Sequence, residues 1–147
     1  MTTGSGGDRG AIENLLMRYA LAVDTRDFDG VGACFTPGAT ASYSGVALAP
    51  GVGPIVAHIS GIASCVQSQH IFGASLIEID GDRATAVSYA TAHLVRPEGD
   101  GHVATTRGLR YDDVLVRTPA GWRIESRVHQ ALWSTDLPVT WPVPLGR

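Results

Sequence analysis

The chain has no lysine; its eleven basic residues are all arginines, set against 14 acidic residues for a formal net charge of -3. Without a side-chain amine no lysine Schiff base can form, which excludes amine-dependent aldolases and pyridoxal enzymes. The arginines are scattered, and a mildly acidic chain without a basic patch is a poor match for phosphate backbones, so nucleic acid is excluded as a partner. No run of about 18 apolar residues exists to cross a bilayer. The N-terminal stretch Met1 to Gly10 is polar and glycine-rich where a secretory leader would be basic and then apolar, so a cytoplasmic protein is expected. Cysteine is scarce: Cys34 and Cys65 lack CxxC spacing, sit in apolar surroundings and read as two buried free thiols, not as a zinc site or disulfide framework.

What is present points to one globular domain spanning 1–147. Hydrophobic residues make up 44% and charged residues 17% of the chain. At this length folding buries roughly 70% of the unfolded surface, enough for a single substantial core. Ile12, Leu15, Leu16, Tyr19, Ala20 and Val23 recur at helical spacing behind Asp8 and predict a helix to about Val23. A second short helix is expected over Phe28 to Phe35, stopped by Thr36-Pro37-Gly38, followed by a strand over Ala39 to Tyr43 and a third helix from about Gly53 to Cys65. From His70 onward the period changes to two. Strands are expected over His70–Ile79, Ala84–Arg96, Val103–Val116 and Trp122–Trp133, joined at Asp80-Gly81-Asp82, Pro97 to Gly101 and Thr118 to Gly121. Residues 134–147 read as an extended, proline-rich tail. Helices first and an antiparallel meander afterwards make an α+β fold, the N-terminal helices packed into a strongly curved sheet that leaves a small-molecule pocket at its wide end.

Within that pocket the titratable candidates are few. His70 and His93 are each embedded in an apolar strand, where an unpaired imidazole nitrogen costs about 1 to 3 kcal/mol, so each calls for a partner. Asp24 follows Val23 at the end of the apolar stripe, about one turn beyond Tyr19 and Ala20, and is the candidate carboxylate. His58 and His102 are expected at the surface. On the second long strand Thr85, Val87, Tyr89, Thr91 and His93 share one face and Ala84, Ala86, Ser88, Ala90 and Ala92 the other, and alternation alone leaves open which is concave. Arg127 and His129 share a face of the last strand, where an arginine is expected in a surface or interface ion pair. Histidine is the one ordinary side chain that gains and loses a proton near neutral pH without a large shift. An Asp–His pair in an apolar cavity therefore suits general acid/base chemistry, with the carboxylate fixing the tautomer and stabilising the imidazolium.

The stretch Tyr19-Ala-Leu-Ala-Val-Asp24-Thr-Arg-Asp27-Phe-Asp29, then Cys34-Phe35-Thr-Pro and Ala41-Ser-Tyr43, resembles the opening of SnoaL-like members of the nuclear-transport-factor-two-like superfamily. Gln69-His70-Ile-Phe-Gly73-Ala-Ser75, Gly81-Asp82, Ala92-His93 and Gly121-Trp122-Arg-Ile124 are similar to scytalone dehydratase-like members of that superfamily. The resemblance implies a cone-shaped α+β barrel, with Asp24 orienting His70 as the base, His93 assisting a leaving hydroxyl and Tyr43 polarising a substrate carbonyl through water. Tyr19, Phe72, Tyr111 and Trp133 are the further candidate substrate-binding residues. At Val23 the chain departs from the resemblance, which places a tyrosine before the aspartate. His70, His93 and Asp24 also match the two-His-one-carboxylate set of nonheme iron, but the resemblance implies neither metal nor cofactor. The expected function is a cofactor-independent lyase of the dehydratase type on a small cyclic or polyketide-like substrate. An isomerase, cyclase or epoxide hydrolase on the same scaffold, or a noncatalytic ligand-binding domain, are the alternatives. An exposed sheet face with Val, Leu and Tyr predicts a homo-oligomer, and the resemblance implies a trimer.

Overall fold

A computed structural model describes residues 6–141. Helix α1 (Gly6–Thr25) buries the predicted stripe of Ile12, Leu15, Leu16, Tyr19, Ala20 and Val23. It stops at Arg26, which takes a left-handed conformation (φ 61°). The amides of Arg26 and Asp27 bond back to the carbonyls of Val23 and Ala22 at 3.2 and 2.9 Å, the paired closure that usually has glycine at its left-handed position. Asp8 lies in the first turn, and its carboxylate accepts hydrogen bonds from Arg117 and Trp122. Helix α2 (Phe28–Ala33) is capped by Asp27, whose carboxylate accepts the Gly30 amide at 2.9 Å. Helix α3 (Val52–Ile59) is shorter than expected, because the chain tightens after Ile59 into a 3₁₀ turn over Ser60–Ser64.

Six strands, β1 (Phe35–Tyr43), β2 (Val46–Ala47), β3 (Gln67–Asp80), β4 (Arg83–Glu98), β5 (Gly101–Thr118) and β6 (Gly121–Val139), form one sheet in the order β2-β1-β6-β5-β4-β3. The last four are the expected meander, with Gly81, Gly99 and Gly121 at positive φ in its hairpin turns. β1 runs parallel to β6, so the sheet is mixed, and β2 and β3 are free edges: the cone of helices and sheet is not closed. Two boundaries differ from expectation. Thr36-Pro37-Gly38 does not end a helix but lies inside β1, where the pairing with β6 skips from Phe35 to Thr40, so the proline's missing N–H falls in a bulge. The expected tail is strand as far as Val139, because Ser134 to Val139 pair with Arg107 to His102; residues 142–147 lie outside the described residues.

Relative to β5, β6 carries one extra residue at Glu125 and another at Leu132. Each bulge restores the phase, so Trp122, Ile124, Arg127, His129, Ser134 and Asp136 all point to the concave side with Leu115, Asp113, Tyr111, Arg107 and Thr105. On β4 the concave face is the alanine face, Ala84, Ala86, Ala90 and Ala92 being buried while Tyr89 is exposed. Small side chains there leave room between sheet and helix.

Beneath that room lies a charged pair where an exposed one was expected. Arg127 is fully buried and binds Asp113 with two parallel bonds, Nε to Oδ1 at 2.7 Å and Nη2 to Oδ2 at 2.8 Å. Its guanidinium carbon lies 4.2 Å from the ring centre of Tyr19 and 4.4 Å from that of Tyr111, two rings set edge to face beside it. A planar cation of weak hydration is the kind that tolerates such a site.

Candidate active site

Between α1, α3 and the concave face of the sheet is a cavity of about 710 Å³. Tyr19, Val23, Tyr43, His70, Tyr111 and His129 form its inner wall, with Ile59, Ile62 and Cys65 from the α3 side. Arg96, Thr105, Arg107, Ser134 and Asp136 supply a polar rim from the far ends of β4, β5 and β6.

Asp24 and His70 meet on this wall. Nδ1 of His70 lies 2.7 Å from Asp24 Oδ1, and the His70 backbone amide donates to Asp24 Oδ2 at 2.7 Å. Ser68 Oγ donates to Asp24 Oδ1 at 2.9 Å. Helix α1 carries the carboxylate to the start of β3 because Asp24 sits on its last turn, and the left-handed Arg26 turns the chain away immediately after. Arg26 also braces the arrangement, donating to Ser68 Oγ at 2.6 Å and to the Asp24 and Cys65 carbonyls at 2.9 and 3.1 Å. Burial pushes the Asp24 carboxyl up, but the hydrogen bonds from His70 and Ser68 outweigh it and hold the group below the usual carboxylate range. Asp24 is therefore ionised at neutral pH and can only accept, so Nδ1 of a neutral His70 must carry the proton. Nε2, which bonds to no described residue, then offers its lone pair to the cavity.

Opposite stand groups that keep their protons or stay neutral. The Tyr43 hydroxyl lies 3.2 Å from that of Tyr19, and burial pushes the Tyr43 phenol well above its ordinary value. His58 and His129 flank the Tyr43 ring at 4.6 and 4.9 Å. Burial, then the charges of Arg127 and Arg107, push His129 down to about 4, and its buried Nδ1 has no hydrogen-bond partner among the described residues. The cavity thus pairs an imidazole held by a carboxylate with one held neutral among cations.

The model of SnoaL-like domains matches residues 7–128, which include both members of the Asp24–His70 pair. The chain belongs to the SnoaL-like domain family. An uncharacterized protein of Mycobacterium tuberculosis is 34% identical over 123 residues, 82% of this chain and 83% of the relative. Two crystal structures share the SnoaL-like chain's fold at low identity. A candidate scytalone dehydratase from Novosphingobium aromaticivorans has TM-score 0.82 at 21% identity over 100% of this chain and 99% of its own. A hexachlorocyclohexane dehydrochlorinase of type 3 from Novosphingobium barchaimii has TM-score 0.76 at 16% identity over 94% and 95%.

Not every expected residue of the SnoaL-like site reaches the cavity. His93 alternates with Ala92 and so lies on the convex face, where Nδ1 bonds Thr106 Oγ1 at 2.9 Å. Trp133 also faces outward, 53% exposed, with its indole laid over Gly108 so closely that a Cβ there would come within 2.0 Å of Nε1. Phe72 packs behind the cavity wall, stacked on Tyr111 at 4.9 Å. Because His93 is on the other face, the two-His-one-carboxylate set is not assembled, and among the described residues no three His, Cys, Asp or Glu side chains come together as a metal site. Cys65 lines the cavity and is only half-buried; both thiols are free. Sequence reasoning passed over His129 and Arg107 as site residues; His58 is exposed as expected and also lines the cavity. The signal lay in the shared phase of Arg107, Tyr111 and Asp113 on β5 with Arg127 and His129 on β6.

Proposed function

We propose that this SnoaL-like protein is a cofactor-independent lyase that removes a proton and a neighbouring leaving group from a small cyclic substrate held in the cavity. The Asp24–His70 pair at 2.7 Å, with Nε2 of His70 toward the cavity, carries the proposal. Nε2 takes the proton from carbon, the C–H electron pair becomes the new double bond, and the leaving group departs with its own pair. The imidazolium is stabilised by the Asp24 carboxylate. The protonated Tyr43 hydroxyl donates to the oxygen on which negative charge develops, and a departing hydroxide takes the proton back from His70 as water. General acid/base help of this kind contributes typically ~10²–10⁴-fold.

The test is a panel of cyclic β-hydroxy ketones followed by the ultraviolet band of the conjugated product. Turnover is expected from the native protein and its loss from His70→Ala; turnover that His70→Ala leaves unchanged would refute the assignment. The outward position of His93 favours one second reading. Without that leaving-group acid, the same pair fits proton transfer within a substrate, as in an isomerase or cyclase, and mass spectrometry separates the two because only elimination lowers the product mass by one water.

Two further parts belong to this proposal. The convex face exposes Tyr89, Leu132, Trp133 and Leu137, supporting self-association into a trimer; sedimentation as a monomer at micromolar concentration would remove it. The two free thiols support a reducing, cytoplasmic setting. No helix among the described residues is long and apolar enough to cross a membrane.

A further inference from the structure

The concave side of this molecule holds four arginines from the strands, and three of them are neutralised, Arg117 by Asp8 and Asp82 at the end remote from the cavity. Arg127 is paired with Asp113. Arg96 is paired with Asp136 at 3.5 Å and also donates to Thr105 Oγ1. Arg107 lines the cavity and has no acidic partner among the described residues. Asp136, the acid nearest to it in register, is held by Thr105 Oγ1 at 2.6 Å as well as by Arg96.

The strand register places this free cation relative to the base. His70 pairs with Ala92, Ala92 with Arg107, and Arg107 with Ser134, so the four lie in one row across β3, β4, β5 and β6. Neighbouring strands are about 4.8 Å apart, which puts the backbones of His70 and Arg107 on the order of 10 Å from each other. Between them stands only the methyl group of Ala92. The row is therefore a trough with a proton acceptor at one end and a guanidinium fork at the other, wide enough for one ring.

We propose that Arg107 binds a carboxylate on the substrate, so that the lyase of the preceding section acts on small cyclic carboxylic acids with the reacting C–H across the ring from the acid group. This rests on the reading of His70 as the base. A guanidinium can meet both carboxylate oxygens at once, which fixes the ring's orientation as well as its position. Arg107 acts together with Arg127 and burial to hold His129 neutral, so that imidazole adds no second cation to compete with Arg107 for the carboxylate. Arg107 is exposed at the cavity rim, so the attraction is screened by salt.

Isothermal titration with benzoate and with benzamide, two rings of one shape that differ in charge, tests the proposal without requiring turnover. The native protein is expected to bind benzoate at least tenfold more tightly than benzamide, with the ratio shrinking as salt is raised. Arg107→Gln should equalise the two ligands, and Arg107→Lys should keep part of the preference. Equal binding or no binding of the two probes by the native protein, or a benzoate preference that survives in Arg107→Gln, overturns the proposal. Unchanged thermal unfolding of Arg107→Gln verifies that the variant is folded, and the salt series on the native protein reads the same charge without any substitution. The preference without His70-dependent turnover would sink the lyase reading alone; His70-dependent turnover without the preference would sink the carboxylate anchor alone.

Discussion

Asp24 meets His70 and Asp113 meets Arg127 at the same 2.7 Å, yet one pair can change its charge and the other cannot. Arg127 keeps its proton at any ordinary pH, and neither member of its pair touches solvent. It is a permanent dipole set under the aromatic floor, and its charge reaches His129. The Asp24–His70 pair is partly open, with the imidazole 10% and the carboxylate 18% exposed, and has a nitrogen left over on the cavity side. Equal distances thus describe a structural pair and a chemical one, and what separates them is access and the ability to titrate.

The largest effect should come from breaking the inner pair. Asp113→Asn leaves a buried guanidinium without its counter-charge and is expected to cost about 3–5 kcal/mol in urea unfolding; a loss below about 1 kcal/mol would mean that water or another group replaces the carboxylate. Breaking the outer pair should do the reverse. His70→Ala is expected to lower kcat/KM by ~10²–10⁴-fold while shifting stability little, and a variant equally crippled in unfolding and in turnover would erase the distinction. His129 links the two regions through pH. Its folded-state value of about 4 lies below the ordinary 6.5, so the unfolded chain binds the extra proton first and stability falls as pH drops from about 6.5 toward 4, by up to about 3 kcal/mol. His129→Gln should flatten unfolding curves in that window. Asp24, depressed from an already low value, contributes stability that is lost only at lower pH. Ser68→Ala sharpens the comparison least, removing one bond to Asp24 at about 1 kcal/mol with a modest fall in kcat.

How much of this was legible beforehand depended on whether a feature is local. The meander follows from alternation and from the Asp80-Gly81, Gly99 and Gly121 turns, and it is present as read. Asp24 and His70 were legible because a carboxylate closing an apolar helix stripe and a histidine opening an apolar strand are both local signals. The phase of the sheet was not. Both faces of β4 and β5 carry polar residues, so His93 and Ala92 were equally eligible for the concave side, and His93 was placed wrongly. Trp133 was misplaced because the Leu132 bulge turns it outward, and a bulge shows only once the neighbouring strand is known. Pro138 suggested a tail, yet it sits near the end of β6 opposite Val103. Arg127 was read as exposed because arginine usually is; its burial depends on Asp113, 14 residues earlier on the adjacent strand.

The most direct test of the central claim is the protonation state of the His70 ring, read by nitrogen-15 nuclear magnetic resonance of the imidazole at pH 8 in the native protein. The account predicts a neutral ring with its proton on Nδ1, hydrogen-bonded to Asp24, and an unprotonated Nε2 at the cavity. A ring protonated on Nε2 would leave no base facing the substrate and would contradict the assignment of His70 as the proton acceptor.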